Sequence, residues 1–358
     1  MLKLEPRVEL SPITSFLGPL FSLILTMIFG GILFYILGVD PIAAIKMIFW
    51  DPLMSETFAD YSRPQILIKA APLILIALGL SLGFKANIWN IGAEGQYIMG
   101  AVFGATFALS LYPVESTLIF PSMIIVGIIG GSLWAMIPAI LKVKFNVNEI
   151  LVSLMLVYVA EQILALASLG FLRNPDGAGF PGSRNLNQYS SAANIEIFSG
   201  TGIHVGVMLS ILMIIFFYIL LFRHSLGFKI QLIGQSPRAF SFSGDSPSKM
   251  VIICLFVSGG LAGLAGLLEV AGPAGQITID FNVGYGFTAI IVAFLGRLNP
   301  IGIFFAGIIM ALTYVGGELT QFMLNLPAAA IQVFQGMLLF FLLSFDLFVN
   351  YKVKFLKE

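Results

Sequence analysis

The chain has 358 residues, of which 58% are hydrophobic and 10% charged, and its formal net charge is zero. Its mean hydropathy is +0.99. This composition excludes an ordinary soluble domain, and the balanced charge gives no basic surface for a nucleic acid. Apolar stretches repeatedly reach the length that crosses a bilayer. The sequence therefore predicts an all-α membrane protein that crosses the bilayer many times.

Ten apolar stretches are candidate membrane spans. They run roughly over 14–38, 64–83, 96–112, 118–141, 149–171, 203–222, 250–271, 285–296, 301–317 and 329–349. The first exceeds a signal-peptide core and lacks a small-residue cleavage pattern, so we expect it to be retained. The eighth is too short to cross alone at about 1.5 Å of rise per residue, which predicts a broken or partly re-entrant helix. A membrane domain over 14–349 then lies between tails at 1–13 and 350–358.

The basic residues predict the orientation of these spans. An N-terminus in the cytoplasm places thirteen of the eighteen Lys and Arg residues on the cytoplasmic side, as the positive-inside rule requires. These residues are Lys3, Arg7, Lys85, Lys142, Lys144, Arg223, Lys229, Arg238, Lys249, Arg297, Lys352, Lys354 and Lys357. Both termini are then cytoplasmic, in an inner (plasma) membrane. The polar segments 40–63 and 172–202 fall on the external side.

A polar, glycine-containing segment from Asn87 to Gln96 separates two apolar stretches. Amides, carboxylates and bare backbone are costly in hydrocarbon unless protein or water surrounds them. We therefore expect Asn87, Asn90, Glu94 and Gln96 either to line or gate a solute pathway or to hold a broken helix together. Glu161, near the middle of the fifth span, has the same two interpretations: a transport role or a hydrogen-bonded helix contact.

A short internal sequence repeat links this segment to a later one. Asn90-Ile-Gly92 and Asn282-Val-Gly284 both precede a glycine-containing start of a span, and the predicted topology places them on opposite faces. Inverted repeats with broken helices are a common way to build a central transport site. The repeated Asn-x-Gly motif is compatible with an inverted repeat of the membrane domain.

The cytoplasmic segment 223–249 contains a second candidate site. Ser236 can cap a helix that begins at Pro237, and Gly244 can end it. Arg238, Phe240 and Phe242 would then offer a cationic and apolar surface to a soluble partner. The alternative interpretation is an ordinary connecting loop.

Other chemistry is absent from the sequence. No Gly-Lys dipeptide occurs, so the chain has no Walker A loop to bind a nucleotide phosphate. With only two histidines, the chain cannot form a His-rich metal site. With Cys254 as its single cysteine, it cannot form a disulfide within the chain. We expect no enzymatic activity of its own, no catalytic residue, no cofactor and no metal. Gly100 with Gly104, and the similarly spaced glycine pairs 127/131 and 259/263, predict close helix packing.

At the level of motifs, residues Gly83 to Ala101 closely resemble the signature of membrane permeases of ABC importers in the branched-chain amino acid and simple-sugar permease superfamily. The variant Asn-Ile-Gly-x-Glu-Gly-Gln is similar to the nucleoside and simple-sugar branch. Leu141-Lys142 with 147–151, 234–244 and 285–300 also match, in the expected order. The resemblance implies the permease subunit of an ATP-driven importer, which forms the path for a neutral polar solute such as a nucleoside or simple sugar.

The resemblance also implies partners and a coupling helix. The partners are a cytoplasmic ATP-binding subunit, a second homologous permease and an external solute-binding protein or lipoprotein. The coupling residues are Ser236, Pro237, Arg238, Ala239, Phe240, Gly244 and Asp245. Here Phe240 and Asp245 depart from the family pattern, which has a second alanine and an aliphatic residue at these positions, so the ATPase groove is expected to be specialised. An ion-coupled secondary transporter and an integral membrane enzyme are the alternatives from other classes.

Overall fold

The computed structural model describes residues 2–6, 12–242 and 244–355, and these residues form fourteen α-helices and four short β-strands. The helices are α1 (Pro12–Ile36), α2 (Pro41–Phe49), α3 (Asp51–Met54), α4 (Ala59–Lys85), α5 (Ala93–Ser110), α6 (Ile119–Phe145), α7 (Glu149–Leu169), α8 (Val205–Arg223), α9 (Ser225–Gln235), α10 (Pro237–Phe242), α11 (Pro247–Val270), α12 (Tyr285–Leu295), α13 (Pro300–Leu324) and α14 (Ala328–Asn350). The strands are β1 (Leu2–Pro6), β2 (Glu196–Phe198), β3 (Ile203–His204) and β4 (Tyr351–Phe355). Arg7 and Lys357, used in predicting the orientation, lie outside the described residues.

The chain is an all-α polytopic membrane protein. Seven of the described helices are long and apolar enough to cross a membrane: Ala59–Lys85, Ile119–Phe145, Glu149–Leu169, Val205–Arg223, Pro247–Val270, Pro300–Leu324 and Ala328–Phe345. All ten stretches predicted as spans fall mainly on helices. α5 is not among the seven because its first turn contains Glu94 and Gln96, and α12 has only 11 residues. The number of ten spans stays a prediction.

The segments 40–63 and 223–249 contain helices that the sequence did not predict, in addition to the one predicted to begin at Pro237. Residues 40–63 include α2 and α3, and Asp40 caps α2 by accepting the N–H of Ile42 at 2.9 Å, with Pro41 in the first turn. Residues 223–249 include α9 and α10. Both segments are therefore more regular than their polarity suggests.

The described chain divides into two compact units, one of Met1–Ile66 with Ile309–Glu358 and one of Leu67–Ile308. In the first unit, α1 packs along α14. Phe34 stacks on Phe334, with ring centroids 5.8 Å apart, in a core that also includes Ile48 and Ile331. β1 pairs antiparallel with β4, which brings the two ends of the described chain together.

The second unit is built around α5, α6 and α11, which pack closely on one another. The predicted glycine positions are where their backbones meet: a Cβ on Gly100 would overlap the backbone of Gly263, and one on Gly131 would overlap Gly259. The prediction of close packing at these glycines is confirmed. At Gly100 and Gly131 no side chain separates the backbones, whereas Gly104 lies against the side chain of Leu267. α5 therefore packs closely on its neighbours.

Candidate functional site

The chain leaves helical geometry between α4 and α5, in the segment predicted to be special. Asn87 has a positive φ of 57°, and the Oδ1 of Asn90 accepts the N–H of Gly92 at 3.1 Å in a local turn. A Cβ on Gly92 would lie 2.7 Å from the carbonyl oxygen of Ser153 on α7. Glycine is therefore required here by the close approach of α7.

Two amide side chains close this turn against the start of α5. The Nδ2 of Asn90 donates to Oε1 of Gln96 at 2.8 Å, and Nε2 of Gln96 donates back to Oδ1 of Asn90 at 3.0 Å. Asn90 Nδ2 also donates to the hydroxyl of Ser258 on α11 at 2.9 Å. Both amides are buried. The pair satisfies its own polar groups and fastens the turn to α5 and α11.

The carboxylate of Glu94 joins the starts of two helices. It is fully buried in the first turn of α5 and accepts the N–H of Gly284 at 3.1 Å and that of Gly286. These two glycines begin α12. Helix N-termini carry partial positive charge and unpaired N–H groups, so a carboxylate placed between two of them stabilises both. We call this arrangement of Glu94 with Gly284 and Gly286 the α5–α12 junction.

The start of α12 repeats the local geometry of the start of α5. Oδ1 of Asn282 accepts the N–H of Gly284 at 3.3 Å, as Asn90 does for Gly92. Nδ2 of Asn282 donates to Oε1 of Glu161 on α7 at 2.7 Å. A chain of hydrogen bonds therefore runs from α7 through Asn282 and Gly284 to Glu94.

The structure thus brings together four of the five residues predicted for a pathway or gate. Asn90, Glu94 and Gln96 are buried at the start of α5, and Glu161 reaches the same network through Asn282. Asn87 is separate: it is exposed, and its Oδ1 accepts the indole N–H of Trp89 at 3.2 Å.

Several partners of these residues were missed from the sequence. Asn282 and Gly284 carried a signal, since they repeat the Asn-x-Gly pattern, but they were not predicted to touch Glu94. Ser153 and Ser258 carried none, because a serine in an apolar helix commonly bonds its own backbone. Their contacts depend on how α7 and α11 pack against α5.

The side of the junction towards the end of α12 is closed by aromatic rings. Trp89 lies 5.1 Å from Phe84 and 5.8 Å from Phe294, measured between ring centroids. The backbone N–H of Trp89 donates to Glu149, which also forms an ion pair with Lys142. The turn after α4 is therefore tied to the connection between α6 and α7.

The second predicted site is a short helix on a supporting one. The hydroxyl of Ser236 accepts the N–H of Ala239 at 3.3 Å, so it caps α10 as predicted. Lys229 of α9 pairs with Asp245 at 2.8 Å, which fixes the end of the segment, and Gly244 has a left-handed φ of 84°.

Phe240 does not contribute to the exposed surface expected of α10. Its side chain has no exposed area, because α10 packs on α9 and α11 and turns this residue inward. Phe242 is 92% exposed, and Arg238 and Ala239 are also exposed. The cationic and apolar surface therefore consists of Arg238 and Phe242.

α9 also contacts the start of the polar segment directly. A Cβ on Gly234 would overlap the carbonyl oxygen of Lys85, the last residue of α4. α10 thus rests on a helix that touches the turn leading into Asn87 and Asn90. Among the residues that the structure describes, no group of three or more His, Cys, Asp or Glu side chains is placed to hold a metal ion.

Comparison with known proteins identifies a matching protein family and several similar proteins. Residues 63–343 match the family described as branched-chain amino acid transport system, permease component. The chain is 30% identical to the glucose ABC transporter permease protein of Haloferax volcanii, over 98% of this chain and 93% of the relative. It is 26% identical to the nucleoside ABC transporter permease protein of Lactococcus lactis subsp. cremoris, over 91% and 90%. It is 23% identical to the guanosine ABC transporter permease protein of Bacillus subtilis, over 95% and 94%. No solved structure matches the chain significantly.

Proposed function

Because this chain belongs to the family of permease components of branched-chain amino acid transport systems, we propose that it forms the path of an ABC importer for a nucleoside or a simple sugar. It is a membrane permease subunit for a neutral polar solute and not itself an enzyme. The observation that carries the choice of solute is the set of names borne by its near full-length relatives: glucose, nucleoside and guanosine permeases. Family membership rejects the ion-coupled carrier and the membrane enzyme.

The α5–α12 junction is our candidate for the gate of this path. α12 has 11 residues and so is about 16 Å long, roughly half the ~30 Å hydrocarbon core. If its end at Leu295 lies at the membrane surface, Glu94 lies near the middle of the bilayer. We propose that α5 and α12 are the broken or re-entrant helices of an inverted repeat, with their N-termini facing each other. The matching turns at Asn90 and Asn282 support this proposal.

The junction acts as a closed gate in this proposal rather than as a solute-binding surface. Asn90 and Gln96 are hydrogen-bonded to each other, and Asn90 also bonds Ser258. Glu94 accepts hydrogen bonds from the start of α12. Opening the junction would expose amide and carboxylate groups that suit a neutral, hydrogen-bonding solute. Glu161 would follow through its bond to Asn282.

The assembly extends beyond this chain. A permease of this family works with an ATP-binding subunit and a substrate-binding protein. We propose that α10 docks on the ATP-binding subunit through Arg238 and Phe242, and that the second permease is a homologous chain rather than a copy.

The proposed topology has ten spans in an inner (plasma) membrane, with both termini in the cytoplasm. The pairing of β1 with β4 supports a common side for the termini, and the basic residues at Lys85, Lys142 and Lys229 support the cytoplasmic assignment of α9 and α10.

Uptake in proteoliposomes tests the solute. Vesicles that contain the permease, its sister permease and the ATP-binding subunit, with binding protein added outside, should accumulate a radiolabelled nucleoside or hexose when ATP is inside. An excess of unlabelled solute of the same class should compete. Accumulation of branched-chain amino acids instead, with neither nucleosides nor hexoses competing, would reject the proposed solute while keeping the permease function.

A further inference from the structure

A small cavity of about 20 Å³ lies between α4, the start of α8 and the end of α11. Most of its wall is apolar, formed by residues such as Leu75 and Leu268. Three polar side chains also face it: Asn194, His204 and Glu269. The cavity is separate from the α5–α12 junction, and its polar residues have no part in the proposed gate.

Two of these polar groups lack a partner. Asn194 is 3% exposed, and its Oδ1 accepts no hydrogen bond from any residue that the structure describes. Its Nδ2 already donates to the carbonyl of Leu268 at 3.2 Å. Nδ1 of His204 is buried and likewise has no partner within the described part of the chain. Because a buried polar atom without a partner destabilises a fold, both atoms indicate a missing hydrogen-bond partner.

The charges around the cavity favour a neutral donor. The positive charge of Lys69 on α4 attracts Glu269. Burial lowers the pKa of His204, although the nearby Glu196 opposes this effect. The imidazole is therefore uncharged at neutral pH, and one of its ring nitrogens accepts a hydrogen bond.

The volume of the cavity indicates which molecule can bind there. A water molecule needs about 10–15 Å³ of such space and two or more polar partners, and this cavity provides both. We propose that the cavity binds one water molecule, which donates to Oδ1 of Asn194 and to Nδ1 of His204 beside the carboxylate of Glu269.

This water would complete the attachment of an external segment to α11. The backbone N–H of Asn194 donates to the carbonyl of Ala271 at 2.8 Å, and Nδ2 of Asn187 donates to the carbonyl of Gly272 at 2.8 Å. The bound water adds His204, at the start of α8, to the same attachment. Segment 186–204 is then held to the end of α11 by direct and water-mediated bonds.

An experimental structure that shows ordered water is the direct test. We expect density within hydrogen-bond distance of both Asn194 Oδ1 and His204 Nδ1. An empty cavity would overturn the proposal. Thermal unfolding of the purified chain in sodium, potassium and choline chloride at equal ionic strength separates water from a cation. We expect equal midpoints, and stabilisation by one metal cation alone would replace the water with an ion.

Substitutions give a second test, because a cavity with bound water and a dry cavity predict different changes in the midpoint of unfolding relative to a control. If water is bound, Asn194→Leu lowers the midpoint of unfolding and speeds amide exchange several-fold across 186–204. Asn187→Leu is the matched control: it also loses one bond to the end of α11 but does not line the cavity, so its effect should be smaller. If the cavity is dry, Asn194→Leu removes an unpaired acceptor together with the Nδ2 bond to Leu268, so it should lower the midpoint no more than Asn187→Leu does. His204→Phe makes the same distinction should Asn194→Leu fail to fold.

Discussion

Glu94 has the most demanding position of any residue at the junction. Its carboxylate is buried and depends on N–H groups from the start of α12, while those N–H groups depend on it. No charged side chain is seen to bond it in the described chain, so backbone dipoles are what stabilise its oxygens. Such an arrangement has one well-satisfied state. Any opening of the junction must supply new partners for both sides.

Replacing Glu94 should therefore lower the free energy of unfolding, and the loss should grow with the number of hydrogen-bond acceptors removed. Glu94→Leu leaves the buried N–H of Gly286 unpaired and leaves that of Gly284 with only its 3.3 Å bond to Asn282. At about 1–3 kcal/mol for an unpaired buried group, this predicts clear destabilisation. Glu94→Gln keeps one acceptor and should be milder, while transport falls in both. Chemical unfolding and uptake measure the two effects. Glu56→Leu, at an exposed position, is the control. Equal stability of Glu94→Leu and Glu56→Leu would contradict the assignment.

The exposed residues of α10 make a different prediction. Arg238→Glu or Phe242→Asp should leave folding intact but reduce co-purification of the ATP-binding subunit, because each places an unpaired charge against the partner. Phe240→Asp should instead damage folding, since that side chain is fully buried. Phe180→Asp, exposed in the proposed external segment, is the control. Normal co-purification and ATP hydrolysis with Arg238→Glu and with Phe242→Asp would reject docking at this surface.

At the level of whole elements, α9 connects the proposed docking helix to the proposed gate. α10 packs on α9, and Gly234 of α9 lies against the carbonyl of Lys85, at the entrance to the segment that contains Asn90. Packed helices shift as units rather than deform continuously. A displacement of α10 would therefore press on the turn after α4.

Gly234→Ala tests this connection. The added methyl group must push α9 away from Lys85, so we expect the ATP-binding subunit to bind while solute transported per ATP falls several-fold. Gly336→Ala, in α14, is the control because nothing lies within 4 Å of the added carbon. Measurement of uptake and ATP hydrolysis in the same vesicles gives the ratio. An unchanged ratio would show that this contact does not transmit coupling.

The junction itself makes a prediction about access. In a Cys254→Ser background, Asn87→Cys should react with small polar thiol reagents in the resting state, because Asn87 is exposed. Asn90→Cys and Gln96→Cys are buried and should be inert. If the junction is the gate, these two should become reactive when ATP and loaded binding protein are added. Cysteines at 90 and 96 that stay inert in a protein that still transports would reject the gate.

For the molecule as a whole, the missing nucleotide site predicts dependence on partners. The purified chain alone should neither hydrolyse ATP nor accumulate solute. Reconstitution with the ATP-binding subunit, the second permease and the binding protein should restore both activities. Accumulation driven by an ion gradient in vesicles with this chain alone would contradict the prediction. Restoration without any second, different permease would point to a homodimer.

The sequence by itself determined the membrane character, the approximate helices and the family. Long apolar stretches must become helices in a bilayer, because hydrocarbon offers no partner for backbone N–H and C=O groups. It also determined the cap of α10, since a Ser-Pro start and its helix are local. The segment from Asn87 to Gln96 was identified because placing polar residues in the hydrocarbon of a bilayer is unfavourable in free energy unless they have hydrogen-bond partners.

Only the tertiary structure decided what that segment touches. Glu94 meets Gly284 and Gly286, about 190 residues away, and nothing in a periodic apolar pattern specifies that register. The burial of Phe240 and the unpaired oxygen of Asn194 are also products of packing, because each depends on neighbours from distant helices. Local propensity sets where a helix begins and ends, whereas the partner of a buried polar atom is set by how helices meet.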